Sequence, residues 1–300
     1  MPSIFHAFLS KIRDSIAAAV YNKLYYSERA QQLTNLTLSS RDKGIIEGTK
    51  GGTEIIVSLT THGRRLYDVY LGIESIMQGS VKPNRIVLWL SRDLQTSPLP
   101  QTLLNQIDRG LLIKYTEDIG PYTKLVPALK EYPDSVIVTI DDDILYPYDT
   151  LEMLVSAYKK QPNCIVANRV MDITLDNQGH PTSLPTWKEL EDKDRVSKLN
   201  FFEGVGAVLY PPHCFTADVL DQSVFTKICP TADDVWFNCM ALLSRTSVVP
   251  ANHHYSRFPL LINESVQDSA LWRINSRTTN TLNDNQLRAV MGKYNLSYAE

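Results

Sequence analysis

The apolar run Val136-Ile137-Val138-Thr139-Ile140 ends directly on three aspartates, Asp141-Asp142-Asp143, and few folds accommodate such a junction. A short β-branched run without helical periodicity reads as a strand buried on both faces. Strands of that kind belong to parallel sheets covered by helices. Carboxylates at the C-terminal end of such a strand emerge into the crevice where open α/β sheets take their ligands. Three adjacent negative charges repel one another and sit poorly beside an apolar scaffold unless a cation compensates them. Alternate side chains of an extended segment point the same way, so Asp141 and Asp143 can converge while Asp142 faces elsewhere. Hard oxygen donors suit Mg²⁺ or Mn²⁺, ions whose shells are commonly completed by substrate phosphates. The junction therefore reads as a divalent-metal platform for a phosphate-bearing substrate. An aspartate-rich surface turn is the plainer alternative, but Tyr146-Pro147 already supplies a turn there.

The rest of the chain supports a sheet of this type. β-rich runs are expected at 54–60, 85–90, 111–115, 136–140, 164–170, 204–210 and 248–249, with a loop-rich stretch at 172–200. Helical patterns are expected at 66–78, 99–109, 122–131 and 149–160, then from Asp233-Asp234 and from about Asn283. This alternation predicts an α/β fold: a doubly wound, mostly parallel sheet with helices on both faces. Residues 51–300 read as one catalytic domain, divided into a ligand-binding half (51–145) and a second half (146–300). Residues 1–50 read as an amphipathic helix and a linker. Ser3 can cap that helix, and Ile4, Phe5, Phe8, Leu9, Ile12, Ile16, Val20 and Leu24 recur at helical spacing over residues 3–34. Two readings stay open for it. It lies in the plane of a membrane surface, or it packs on the catalytic domain or a partner subunit. Residues 35–52 are polar, contain glycine and read as the linker.

Composition excludes some classes. A net charge of −3 gives no reason to expect nucleic-acid binding. No run has the length of a transmembrane helix and no small-residue cleavage site follows a signal-like apolar segment, so a cytoplasmic protein is expected, with the inner face of the cytoplasmic membrane as an alternative address. The four cysteines lack CxxC spacing and read as buried, reduced thiols.

Other constellations accompany the triad. Asp233-Asp234 opens a helix, where a dipole favours carboxylates. Capping is one reading; a catalytic base or acceptor-hydroxyl ligand is the other. In Glu203-Gly204-Val205-Gly206 two glycines allow backbone to approach a ligand closely or simply form a bulge. This GxG precedes a strand, so it is no dinucleotide fingerprint. His253 or His254 can complete a manganese shell. Arg64, Arg65, Arg92 and Lys124 sit near strand-to-helix junctions, where they can meet a pyrophosphate or remain surface charges. Arg273 lies in a polar C-terminal segment able to close over a diphosphate.

Taken in order, these pieces resemble the GT-A fold glycosyltransferases. Ile55–Thr61 looks like the start of their nucleotide-binding half, Asp141-Asp142-Asp143 like their DxD motif, and Gly204-Val205-Gly206-Ala207 like the segment bordering the acceptor. Asp233-Asp234, with Asn238 beyond, stands where many members have Glu-Asp. Tyr122 to Asp143 and Asp234 to Asn238 look closest to exostosin-type domains, and also resemble enzymes of bacterial capsule and lipopolysaccharide assembly. The resemblance spans roughly residues 54–255. It implies a Rossmann-like GT-A fold and transfer of a hexosyl or N-acetylhexosaminyl group from a nucleotide-sugar donor, foremost a UDP-sugar. The acceptor would be a saccharide or glycolipid, in surface polysaccharide assembly. It implies Asp141, Asp143, His253 and His254 around Mn²⁺ or Mg²⁺. Thr60, Arg64, Asp93, Lys124, Asp141, Asp142 and Arg273 would face the donor, and Asp234 with Asp233 would face the acceptor. Inversion and retention both remain open. Two departures stand out: the second strand ends Leu90-Ser91-Arg92-Asp93 without an aspartate-rich tip, and the acidic pair is Asp-Asp. A sugar-phosphate nucleotidyltransferase is the rival enzyme, although Thr60–Arg65 has one glycine where a glycine-rich loop is expected. A non-catalytic sugar- or partner-binding protein is the rival from outside enzymes.

Overall fold

Strand β1 (Ile55–Thr60) pairs in parallel with β2 (Arg85–Ser91), which pairs in parallel with β3 (Leu111–Thr116). On its other side β1 pairs in parallel with β4 (Val136–Thr139), the strand that carries the aspartates. The computed structural model describes residues 4–48, 52–192, 194–251, 260–269 and 282–298. A two-residue strand β5 (Ile144–Leu145) follows the triad, and then come β6 (Ile165–Ala167), β7 (Val170–Asp172), β8 (Lys188–Glu189), β9 (Asn200–Phe202), β10 (Val208–Tyr210), β11 (Val248–Pro250) and β12 (Leu261–Ile262). The main sheet has seven strands in the order β11-β6-β10-β4-β1-β2-β3. All its pairings are parallel except those of β10, which runs antiparallel to β4 and β6. β8-β7-β9 and β12-β5 form two small sheets beside it.

The runs read as strands are buried because each feeds both faces of the sheet. Ile56, Val87 and Ile137 enter one core, with Trp236 and Phe237. Their neighbours Val57, Leu88 and Val138 enter the other, with Ile73 and Leu154. This period of two is the strand pleat, and each fully buried aliphatic side chain contributes roughly 1.5–3 kcal/mol. Helices cover both faces, so the sheet is doubly wound as expected. They are α1 (Ile4–Ser39), α2 (Val69–Met77), α3 (Gln101–Ile107), α4 (Val126–Glu131), α5 (Thr150–Lys160), α6 (Gln222–Ile228), α7 (Asp233–Leu243) and α8 (Leu282–Tyr294).

Several boundaries differ from the sequence reading, each for a local reason. Helix α1 continues past residue 34 to Ser39 because its polar residues close on the helix itself. Thr34, Thr37 and Ser39 donate to the carbonyls of Ala30, Leu33 and Asn35 at 2.8, 2.9 and 2.7 Å. The stretch beyond is seated on the domain: the Gly44 and Ile46 N–H groups reach the carbonyls of Arg109 and Pro83, each at 2.9 Å. Pro127 splits the expected 122–131 helix into a 3₁₀ turn (Gly120–Lys124) and α4, where it occupies the first turn. The run 164–170 divides into β6 and β7, and the loop 172–200 carries β8. Only Val208–Tyr210 of the 204–210 run is strand; Gly206 and Ala207 before it take left-handed φ values of 88° and 86°. No helix among the described residues is long and apolar enough to cross a membrane.

Candidate active site

The aspartates leave the sheet at its C-terminal edge. The Ile140 N–H still donates to the Ser58 carbonyl of β1 at 3.1 Å. At Asp141 the partner changes, and the backbone N–H meets the Tyr146 hydroxyl at 2.7 Å. The three carboxylates then diverge. Asp142 turns inward and is 8% exposed. Its two oxygens accept from Thr61 Oγ1 at 2.6 Å and Arg65 at 2.7 Å. Asp143 accepts from Gln267 Nε2 at 2.7 Å and lies 3.1 Å from the same Arg65. Burial pushes the Asp143 carboxyl up to about 6; repulsion from Asp141 and Asp142 adds to this, and Arg65 and Gln267 offset only part of it.

Asp141 faces a different cation. Its Oδ1 lies 3.1 Å from Lys124 Nζ, and Lys124 lies 3.6 Å from Asp233 Oδ2. One ammonium therefore joins the tip of β4 to the start of α7. Lys124 is placed by β1: Ser58 donates its hydroxyl to the Lys124 carbonyl at 2.5 Å and receives the Trp89 indole N–H at 2.9 Å. Burial would lower the pKa of this lysine, but Asp141, Asp233 and Asp234 outweigh burial and hold it well above its ordinary value. The site keeps a fixed positive charge.

Helix α7 brings the acidic pair in. Asn238 clamps it to β9, accepting from the Phe202 N–H at 3.1 Å and donating to the Phe202 carbonyl at 2.8 Å. Gly204 then passes so close that a Cβ there would stand 2.6 Å from Asp234 Oδ1 and 3.0 Å from Lys124 Nζ. Any larger residue would push the carboxylate out, and the Gly204 N–H is one of its donors. Burial, then the neighbouring Asp233 charge, raises the Asp234 pKa against the pull of Lys124 and that N–H. Asp233 Oδ2 is buried without a hydrogen-bond partner. A raised proton affinity beside a fixed ammonium suits a group that takes a proton from a neutral hydroxyl.

The structure thus gathers Lys124, Asp141, Asp233 and Asp234 around one ammonium, with Asp143 two residues along the same strand tip. Asp142, expected to face the donor, is held by Thr61 and Arg65 as an internal brace. Thr60 ends β1, with its hydroxyl on the Trp89 carbonyl at 2.9 Å. Asp93 is exposed on the short turn Arg92–Leu94 after β2, at the same edge of the sheet. Arg64 is exposed and pairs with Asp268 instead of pointing at the aspartates. His253, His254 and Arg273 lie outside the described residues. A cavity of about 180 Å³ opens where β2 and β3 end, between Arg92, Thr116, Val126 and Lys130, and no aspartate lines it. The four cysteines are free and buried.

Two residues of the site carried no specific sequence signal. Arg65 is indistinguishable from Arg64 in sequence, yet it is buried while Arg64 is exposed, because adjacent positions of the 3₁₀ turn Gly63–Tyr67 lie a third of a turn apart. Gln267 reaches Asp143 across more than a hundred residues of chain, which no local pattern records.

Metal-ligating potential rests on donor chemistry. Among the described residues no group of three or more His, Cys, Asp or Glu has metal-site geometry. Asp141 and Asp143 offer two hard carboxylates, and the upward shift of Asp143 marks negative charge that the protein leaves undercompensated. Mg²⁺ and Mn²⁺ commonly bind through one or two carboxylates, with phosphates and waters completing the shell. Asp141 and Asp143 face different cations here, Lys124 and Arg65, so the sequence expectation that these two converge is not met, and they suit such an ion only as one or two carboxylate donors of a partial site.

No family model and no curated protein matches this chain. Solved structures give distant likenesses. A 4-diphosphocytidyl-2C-methyl-D-erythritol synthase from Anaerococcus prevotii is 13% identical with a TM-score of 0.44, covering 74% of this chain and 96% of that one. An apo-UDP-glucose pyrophosphorylase is 10% identical with a TM-score of 0.40, covering 67% and 90%. Residues 1–349 of S. aureus TarS are 15% identical with a TM-score of 0.44, covering 67% and 58%. Likenesses this remote leave the chemistry to be argued from the residues themselves.

Proposed function

We propose that the chain is a glycosyltransferase. It moves a sugar from a nucleoside-diphosphate donor, foremost a UDP-sugar, to a hydroxyl of a saccharide or glycolipid, as a step in surface polysaccharide assembly. The observation that carries this reading is the single ammonium of Lys124 held between Asp141 and the Asp233-Asp234 pair. This supports a reading in which groups that would handle phosphate and accept a proton share one site at the ligand edge of the sheet.

In this reading Asp141 and Asp143 hold Mn²⁺ or Mg²⁺, which when bound supplies Lewis-acid neutralisation of the departing diphosphate. Lys124 adds a positive charge fixed in place before reaction, where negative charge develops. The acceptor oxygen bonds to the anomeric carbon, and the bond from that carbon to the phosphate oxygen breaks, its electron pair leaving with the nucleoside diphosphate. Asp234 takes the hydroxyl proton if the anomeric centre inverts; if it is retained, Asp234 orients the acceptor and the proton passes to the departing diphosphate oxygen.

The same reading places the protein at the inner face of the cytoplasmic membrane, through α1. Val20 and Leu24 of its apolar stripe are 52% and 65% exposed, a feature that suits an interfacial contact. A Val20→Ser, Leu24→Ser double variant is predicted to sediment less with anionic liposomes; unchanged sedimentation would remove the membrane contact.

The catalytic proposal is tested with Asp143→Ala. Calorimetry with UDP, with and without Mn²⁺, and a donor-hydrolysis screen are predicted to show metal-dependent affinity and turnover in the wild type and neither in the variant. Metal-dependent transfer that survived in Asp143→Ala would end the cation assignment. Diphosphate release from a nucleoside triphosphate would point to nucleotidyl transfer instead. An affinity indifferent to metal would point to a binding protein.

A further inference from the structure

Asn22 lies on α1, far in sequence from the aspartates, and is 8% exposed although its neighbours Lys23, Leu24 and Tyr25 are open to solvent. Its side-chain amide grips both backbone groups of one residue of β12. Nδ2 donates to the Ile262 carbonyl at 3.0 Å, and Oδ1 accepts the Ile262 N–H at 2.8 Å. Nδ2 also reaches Glu264 at 3.1 Å. The amide stands in for a strand on the free edge of β12, whose other edge pairs with β5. The chain then runs directly to the site. The Asn263 N–H donates to the Asp143 carbonyl at 2.8 Å, and Gln267 Nε2 donates to the Asp143 carboxylate at 2.7 Å. Arg65, which faces Asp142 and Asp143, also holds the Val266 carbonyl at 3.1 Å.

We infer that Asn22 is a positioning residue for the acidic tip of β4. Helix α1 holds β12, β12 sets Asn263 and Gln267, and these fix both the backbone and one carboxylate oxygen of Asp143. The N-terminal helix is then part of the active-site apparatus. The inference rests on the reading that Asp143 serves the donor's cation. It also explains why residues 35–48 are seated on the domain: the helix must arrive in one register for the amide to meet Ile262.

The experiment compares full-length wild type, Asn22→Ala and the control Lys23→Ala, which alters an exposed neighbour on the same helix. Hydrogen exchange is read over 260–269 and 141–146 without metal, and Mn²⁺ affinity is read calorimetrically with UDP present. Asn22→Ala is expected to speed exchange in both segments and to weaken Mn²⁺ binding about tenfold, the worth of roughly one hydrogen bond, while Lys23→Ala matches wild type. Faster exchange with unchanged affinity makes Asn22 merely structural and overturns the inference, as does unchanged exchange. If wild type binds no Mn²⁺ with UDP, the glycosyltransferase reading fails. The exchange arm then decides the coupling alone: acceleration that reaches 141–146 supports it, and acceleration confined to 260–269 overturns it. Should Asn22→Ala not fold, Asn22→Asp, which keeps the acceptor for the Ile262 N–H, is judged by the same outcomes.

Discussion

Glu74 and Arg109 meet in two hydrogen bonds of 2.7 and 2.9 Å, with side chains 0% and 3% exposed. Gln78, Gln106 and Thr37 donate to the same carboxylate at 2.6, 3.1 and 3.1 Å. Burial alone would raise the Glu74 pKa, but the donors led by Arg109 outweigh it and hold the group below its ordinary range. The cluster around Lys124 is the reverse case. There the carboxyls of Asp143 and Asp234 are pushed up, and Asp233 Oδ2 is buried without a hydrogen bond. Both clusters sit against the same sheet. One meets its central carboxylate fully and ties α1, α2 and α3 together, although Gln106 Oε1 is itself buried without a hydrogen bond; the other leaves charge for something else to meet. Buried polar networks that are satisfied specify a fold, and those that are not mark sites where a ligand completes them.

The largest expected effect falls on the incomplete cluster. We predict that Asp234→Asn lowers turnover about 10²–10⁴-fold, the span of a lost general base, while UDP affinity stays within twofold, roughly 0.4 kcal/mol. Steady-state kinetics and calorimetry check this; a loss of UDP affinity would move Asp234 into the nucleotide site. Next in size is the complete cluster. Glu74→Gln keeps the shape but strands the buried Arg109 charge, and is predicted to cost about 3 kcal/mol by urea unfolding at pH 7. Because the folded pKa of Glu74 lies below its ordinary 4.5, the contribution is whole above pH 4.5 and is lost as pH falls through the folded value. The gap between wild type and variant should therefore narrow below pH 4.5. A gap that stayed constant down to pH 3 would mean that the pair does not act through its charge.

The difference between the clusters also separates what sequence can carry from what it cannot. The strand ends and the triad were legible because apolar runs and adjacent aspartates are local patterns, and the acidic start of α7 was visible for the same reason. The complete cluster was invisible: Glu74 and Arg109 each look like an ordinary helix-surface charge until α2 and α3 pack together. Lys124 was one cation among several until Ser58 of β1 fixed its turn against Asp141. Asn22 and Gln267 are amides whose partners lie across the chain, so no spacing announces them. The end of α1 was misplaced because threonine and serine favour turns in isolation, whereas here their hydroxyls return to the helix backbone.

The smallest expected effect has the opposite sign from the second. The Asp143 carboxyl stands at about 6 against an ordinary 3.8, with burial first among the causes and Asp141 and Asp142 after it. Between those values the folded state binds more protons than the unfolded chain, so stability falls as pH rises through this window. The penalty is full above about pH 6 and absent below 3.8. Asparagine at this position carries no charge to penalise. We predict that Asp143→Asn stabilises the metal-free protein by roughly 1–3 kcal/mol at pH 7.5, by the free-energy equivalent of the shift, and by nothing near pH 3.5. Urea unfolding in chelator at the two pH values measures it. If Asp143→Asn were instead destabilising at pH 7.5, to an extent comparable with Glu74→Gln, the charge at the tip of β4 would be as fully met by the protein as that of Glu74. The distinction between a cluster kept for the fold and one kept for a ligand would then be lost.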